Sequence, residues 1–339
     1  MLLVDALYLN SPGGLTLLKY LHHKLEQSEI ISFLLLDKRV ENDPFFGFLP
    51  ENVFLESTLR NRKQFYLQHE NDFSMVLCFS NIPPPVVLSV PVFTFFQNVL
   101  LLQDCNYLSI TSRFLSFLKR QLIIYYRNNS DTWIVQTAFM KQLLVRKLRI
   151  QDKNIDIIPF FCLPDQIEPV ISSKIANSFI YPSTGLRHKN HFVLLKAWEL
   201  LYEEGYSFEL HLTIPETDTS LLKLISSLNS NGLKIINHGI IAHNELIHLY
   251  QLSEYLVYPS LNESFGLPLM EAIQQNCKVI AADLPYSKET IKPTALFNPH
   301  QPSSLKIAIL EAISQKNNGT KSEIIAENKI DSLIGLLNN

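Results

Sequence analysis

Residues 258–272 read YPSLNESFGLPLMEA. Tyr258 closes a short aromatic and aliphatic run, Pro259 to Gly266 carries turn residues, and Pro268 stands where proline suits the first turn of a helix through Met270, Glu271 and Ile273. The stretch is a strand end, a loop and a helix start. Short β-rich runs alternate with longer segments of helical period along the rest of the chain, which predicts α/β units on mostly parallel sheets. In the first half the expected strands are Leu2 to Leu9, Ile30 to Leu36, Ser74 to Phe79, Val92 to Phe96, Trp133 to Thr137 and Ile155 to Pro159. In the second they are Ser178 to Pro182, Glu209 to Ile214, Leu233 to Asn237, Tyr255 to Tyr258 and Lys278 to Ala281. Two such sets predict two sheets, each with its own domain.

The 339 residues suit two domains, and Phe160 to Ser173, with two prolines and no period, is the expected joint. The division expected is 1–160, a linker over 161–173, and 174–339, with the last helix free to pack back on the first domain. Asn190 is expected to cap a helix carrying Phe192, Leu195, Trp198 and Leu200, and Asn244 one carrying Leu246, Ile247 and Tyr250. Each of these helices follows a strand, so its N-terminus lies at the carboxyl edge of a parallel sheet, where open α/β sheets bind ligands.

Composition excludes some classes. A 47% hydrophobic share with 18% charged residues argues against disorder, and a net charge of -3 gives no global pull toward nucleic acid. The sequence has no run of 18–20 apolar residues. The opening MLLVDALYLN lacks a basic region followed by an apolar run, so the expected location is the cytoplasm. Cys78, Cys105, Cys162 and Cys277 show no paired spacing and are expected to be buried apolar residues. Ser112 to Arg127 interleaves Arg113, Lys119, Arg120 and Arg127 with large apolar groups. A helix packed on the first sheet is expected there; the alternative is peripheral contact with the inner membrane face.

Glu263 and Glu271 lie in the loop and the helix of the opening stretch. Gly266 lets backbone approach a ligand closely, and the N–H groups of residues 266 to 269 at a helix start favour an anion such as a diphosphate. Carboxylates beside an anion site suit neutral hydroxyl donors, which is the chemistry of sugar recognition. A second stretch, FIYPSTGLRHKNHF (179–192), places Lys189 at a loop's end, where it can neutralise charge on a departing diphosphate. Asn10 to Gly14 forms a glycine-containing turn after the first strand. Ser80-Asn81-Ile82-Pro83 and Phe96-Gln97-Asn98 end two further strands.

These residues resemble the retaining nucleotide-sugar glycosyltransferases of family 4, also called glycosyltransferase group 1, and among them the enzymes of bacterial surface polysaccharide and O-antigen. The resemblance covers nearly the whole chain and is strongest from Tyr181 to Ala272. It implies a GT-B fold, two Rossmann-like domains with parallel sheets facing across a cleft, the first binding acceptor and the second the nucleotide-sugar donor. It implies catalytic roles for Glu263, facing the transferred sugar, and Lys189, on the diphosphate. It assigns Glu271 to the ribose, and Ser264, Phe265, Gly266, Leu267, Gly13, Gly14, Ser183 and Arg187 to the donor. Ser183 occupies a position where relatives carry a basic residue, so Arg187 or His188 is the expected source of that charge. Asn81, Gln97 and Asn98 fall on the acceptor side, the last two where relatives carry a histidine.

The implied reaction moves a sugar from a UDP- or GDP-linked donor to a hydroxyl of a saccharide or lipid-linked saccharide. Retention of configuration is expected, with neither metal nor cofactor: the chain contains no Asp-x-Asp, no dinucleotide fingerprint and no P-loop. An epimerase or phosphorylase of the same fold, or a silent nucleotide-sugar-binding member, is the alternative.

Overall fold

The computed structural model describes residues 1–47, 49, 51–69, 71–103, 110–163, 173–314 and 321–338. The chain forms two compact units, one of residues 1–162 with 327–339, the other of residues 163–326. Most of the expected linker, residues 164–172, lies outside the described residues.

The first unit runs β1 (Leu2–Ala6), α1 (Pro12–Gln27), β2 (Ser32–Asp37), α2 (Pro44–Gly47), β3 (Asn52–Leu55), α3 (Leu59–Gln68), β4 (Met75–Cys78), β5 (Val92–Phe95), α4 (Ile110–Tyr126), β6 (Thr132–Val135), α5 (Ala138–Leu143) and β7 (Ile155–Ile157). The second runs β8 (Ile175–Tyr181), α6 (His191–Glu203), β9 (Glu209–Leu212), α7 (Thr219–Ser230), β10 (Lys234–Asn237), α8 (His243–Leu252), β11 (Ser253–Tyr258), α9 (Leu267–Gln274), β12 (Lys278–Ala282), α10 (Pro285–Thr290), β13 (Ile291–Lys292), β14 (Ala295–Phe297), α11 (Pro302–Ser314) and β15 (Glu323–Ile324). A final helix, α12 (Ile330–Leu337), packs against α1, so the chain's last turns belong to the first unit and not to the second.

Both main sheets are parallel throughout. Their orders are β3-β2-β1-β4-β5-β6-β7 and β10-β9-β8-β11-β12-β14. Parallel strands are covered on both faces, which is why β1 and β11 are buried along their whole length and read as apolar runs. In each sheet the order reverses once, between β1 and β4 and between β8 and β11. Connections leave a reversal point in opposite directions and open a crevice at the strands' carboxyl ends. The loops after β1 and β4, and after β8 and β11, are therefore the ones placed to meet a ligand.

Two expected caps differ from the structure. Asn190 does precede α6, but at φ 61° its side chain makes no capping bond; Nδ2 donates instead to the carbonyls of Pro259 (3.1 Å) and Pro299 (2.7 Å). It ties the loops after β11 and β14 to its own. The helix α8 starts at His243, with Glu245 accepting from the Ala242 N–H (2.8 Å), so Asn244 lies inside the first turn. Phe192 points to solvent, and α6 buries Leu194, Leu195, Trp198 and Leu201. Cys78 and Cys277 are buried as expected, Cys162 is only half-buried, and Cys105 lies outside the described residues. Among the described residues, no helix is long and apolar enough to cross a membrane.

Candidate functional site

At the reversal point of the second sheet, Lys189 and Glu263 come together. Lys189 closes the short helical turn Arg187–Lys189 after β8, and Glu263 lies in the loop after β11. Strands β8 and β11 are neighbours, so side chains 74 residues apart meet: Lys189 Nζ donates to Glu263 Oε1 at 2.7 Å. The two loops are also joined through the backbone, Leu261 N–H donating to His188 O at 2.7 Å. Three strand-end or helix tyrosines hold the frame. Tyr258 OH donates to Glu263 Oε1 (3.0 Å), Tyr181 OH to Lys189 O (2.8 Å) and Tyr286 OH to Ser260 O (2.7 Å).

Burial alone would raise the Glu263 pKa, but the charge and hydrogen bond of Lys189, with help from Ser260, outweigh it and hold the carboxyl below its ordinary value. Glu263 is therefore an anion already engaged by a cation. Glu271, on α9, behaves oppositely. Burial raises its pKa, and only the charge of His243 and a long hydrogen bond from Tyr250 OH (3.4 Å) oppose this. Its other oxygen makes no hydrogen bond among the described residues, so it can accept from hydroxyls of a ligand.

Gly266 precedes α9 at φ 86°, a left-handed conformation that side-chain-bearing residues avoid, and an added Cβ would stand 3.0 Å from Leu269 Cδ1. The expected set of amides at residues 266 to 269 is smaller. Pro268 has no N–H, and Leu269 N–H donates to Gly266 O (3.0 Å), which leaves Gly266 and Leu267. Ser264 and Phe265 lie in the same loop, Phe265 buried beneath it.

The source of charge beside Ser183 is narrower than expected. Ser183 Oγ donates to the adjacent Thr184 O (3.3 Å), and Arg187 is exposed. His188 is buried, and burial plus the nearby Lys189 pushes its pKa down to about 4, so in the unliganded chain it is uncharged near neutral pH. His191 is pushed down to about 3 by the same causes. Its ring lies against Tyr181 (centroids 5.0 Å apart), and neither ring nitrogen has a hydrogen-bond partner among the described residues. Both imidazoles stay neutral in the fold and protonate in the unfolded chain below about pH 6.5. Their contribution to stability is complete above that value and is lost as pH falls toward about 4 and about 3. Replacing His191 with Phe is therefore expected to stabilise the second unit by about 2 kcal/mol more at pH 5 than at pH 7.5, read by urea unfolding; equal effects at both pH values would refute this.

In the first unit Gly13 and Gly14 open α1. At Gly14 a Cβ would stand 2.5 Å from Leu9 Cδ1 and 2.9 Å from Ser11 Oγ, so those side chains would have to shift, whereas at Gly13 it would meet nothing within 4 Å. That backbone is open to close approach. The residues expected on the acceptor side form one cluster: Asn81, left-handed at φ 71°, accepts on Oδ1 from the N–H groups of Gln97 (2.7 Å) and Asn98 (3.0 Å). Gln97 Nε2 donates to Phe79 O (3.2 Å), and Asn98 Oδ1 accepts from Leu100 N–H (3.1 Å). Asn81 thus acts as a clip between the loops after β4 and β5.

Beneath it lies an ion pair that pattern reading missed. Arg62 of α3 donates from Nε to Asp5 Oδ2 (2.7 Å), and its two terminal nitrogens donate to Pro83 O and Ile82 O (2.8 Å each). Tyr66 OH also donates to Asp5 Oδ2 (2.7 Å), and burial pushes the neighbouring Cys78 thiol up to about 12. Among the described residues no group of three His, Cys, Asp or Glu is arranged to hold a metal ion.

Residues 167–331 match the family model described as glycosyl transferases group 1. The serotype-specific mannosyltransferase WbdA of Escherichia coli is 30% identical over 174 residues, which cover 50% of this chain and 21% of that protein. The O-antigen chain mannosyltransferase RfbU of Salmonella typhimurium (strain LT2) is 32% identical over 151 residues, 42% of each chain. The chain therefore spans less than half the length of either curated relative. Sucrose-phosphate synthase from Thermosynechococcus elongatus superposes with a TM-score of 0.71 at 15% identity, covering 100% of this chain and 94% of that one. At that identity the likeness concerns the fold, which is GT-B, with two parallel-sheet α/β units.

Proposed function

We propose that this chain, whose residues 167–331 match the glycosyl transferases group 1, is a glycosyltransferase of surface-polysaccharide or O-antigen synthesis. It moves a hexosyl group from a nucleoside-diphosphate sugar to a hydroxyl of a saccharide or lipid-linked saccharide. The observation that carries the reading is the Lys189–Glu263 pair at the reversal point of the second sheet, with Glu271 on α9, the helix that follows the Glu263 loop. The two mannosyltransferases among the relatives support mannose as the sugar. Nucleotide sugars are cytoplasmic compounds, so the reaction is assigned there.

The geometry supports a division of labour. Glu271 accepts from the ribose hydroxyls, and Gly266, Leu267 and Lys189 face the diphosphate. As the bond from the anomeric carbon to the phosphate oxygen breaks, its electron pair stays on the diphosphate, where Lys189 offsets the charge. Glu263 stabilises the oxocarbenium-like sugar. The acceptor oxygen bonds to the same face of that carbon and passes its proton to a departing phosphate oxygen, giving retention with no metal in the scheme. In retaining glycosidases the nucleophilic carboxylate stands about 5–5.5 Å from a second carboxyl group, and no such partner is assigned to Glu263, since Glu271 is given to the ribose.

The test is a thermal-shift screen with GDP-mannose, UDP-glucose and the bare nucleotides, followed by product detection with saccharide acceptors. Saturating donor at about 100 times its Kd is expected to stabilise the chain by about 2.7 kcal/mol. Glu271→Ala is expected to raise donor KM about 10- to 100-fold with little change in kcat. Absence of any shift with every donor would remove the reading. Binding with no turnover would favour a silent member, a reading that Ser183 in place of a basic residue supports.

A further inference from the structure

The loop after β11 closes back on the strand it leaves. Tyr258, the last residue of β11, donates from its phenol to Glu263 Oε1 at 3.0 Å. The backbone between them is pinned from outside: Asn190 donates to Pro259 O, Tyr286 OH to Ser260 O, and Leu261 N–H to His188 O. The Tyr258 ring is buried and packs edge-on against Tyr181 (centroids 5.5 Å apart) and Tyr286 (6.1 Å), so its hydroxyl is a fixed point. Burial, and then the charge of Glu263, raise its pKa well above the ordinary value, and it stays a donor throughout the working pH range.

Lys189 donates to the same oxygen, but its ammonium is a compact charge on a flexible four-carbon stem. In the proposed reaction that charge is drawn to the diphosphate. Glu263 then loses its cation in a half-buried site, where desolvation favours the neutral acid, and a neutral acid does not stabilise a positive anomeric carbon. We propose that Tyr258 is a positioning residue of the transfer, whose hydroxyl keeps the Glu263 carboxylate charged and aimed at the sugar while Lys189 turns to the diphosphate. This role rests on the transferase reading above. The other described groups that act on Glu263 are less suited to it. His188, from the loop after β8, is uncharged near neutral pH in the unliganded chain. Tyr181 of β8 and Tyr286 of α10 spend their hydroxyls on Lys189 O and Ser260 O. Ser260 assists, but from within the loop; Tyr258 is anchored in the strand.

The pH dependence of turnover tests this. Losing a hydrogen bond to the ionised carboxyl raises its pKa, so Tyr258→Phe is expected to move the acid limb of kcat up by about one pH unit, a fall of about 10-fold on that limb. Donor KM changes about threefold or less. The acid limb of kcat/KM reports the free enzyme, where Lys189 still shares the oxygen, and moves less. Tyr286→Phe, which removes a buried hydroxyl of the same kind from the same loop's backbone, is expected to lower Tm similarly and to leave the limb where it was. Tyr258 replaced by 3-fluorotyrosine keeps the hydroxyl as a stronger donor and is expected to move the limb downward, which decides the matter should Tyr258→Phe fail to fold. Turnover with a Tyr258→Phe profile superimposed on the wild type, or equal shifts in Tyr258→Phe and Tyr286→Phe, would overturn this role and leave the transferase reading intact. No stabilisation of the wild type by any donor would overturn both.

Discussion

Glu263→Gln lowers kcat by about 10²- to 10³-fold, with donor KM changing about threefold or less, in a steady-state assay of the transferase. The amide keeps the volume and can still accept from Lys189 and Tyr258, so what is lost is the charge. In the unliganded chain that charge is balanced by Lys189, and in the proposed reaction the same carboxylate faces the sugar when positive charge develops at its anomeric carbon. A ground-state binding role would raise KM and spare kcat. Thermal unfolding of the variant separates a further effect, because Lys189 loses its counter-charge in a half-buried site and the second unit becomes less stable whether or not donor is present. A kcat within about fivefold of wild type, with KM raised, would move Glu263 from catalysis to binding.

The alternation of apolar runs was sufficient to place every strand at the centre of both sheets, because strands covered on two faces are mostly apolar. The edge strands β3 and β14 were not legible. Each is short, the residues of β3 are all half-buried and Leu296 of β14 is exposed, so neither makes a continuous apolar run. Loop chemistry singled out Glu263, Glu271, Lys189 and Gly266. Their joint geometry was hidden, since contact between residues 189 and 263 depends on β8 lying beside β11, a matter of sheet order that no local period encodes. The burial that keeps His188 uncharged near neutral pH in the unliganded chain was hidden as well, since its backbone is held by the loop after β11, far along the chain. One missed feature did leave a trace. Asp5 stands within the apolar strand LLVDA, and an acid in a fully buried strand requires a partner, though nothing local points to residue 62.

That partner carries the largest expected effect on stability. Arg62→Met destabilises the first unit by about 3–5 kcal/mol in urea unfolding, because the charge of Asp5 is left buried with no cation and the carbonyls of Ile82 and Pro83 lose their donors. Trp133 lies in the first unit and Trp198 in the second, so fluorescence in a Trp198→Phe background follows the relevant transition. Asp5→Leu combined with Arg62→Met recovers much of the loss, since a buried ion pair replaced by apolar groups of similar size is often neutral or better. The double variant does not recover function to the same extent. The carbonyls at 82 and 83 still lack donors, the loop next to Asn81 is no longer anchored, and the clip on Gln97 and Asn98 loosens, so acceptor KM stays raised about 10-fold while donor KM returns to normal. Equal recovery of stability and of acceptor KM would show that Arg62 serves the core alone, with Asn81, Gln97 and Asn98 holding their loops without it.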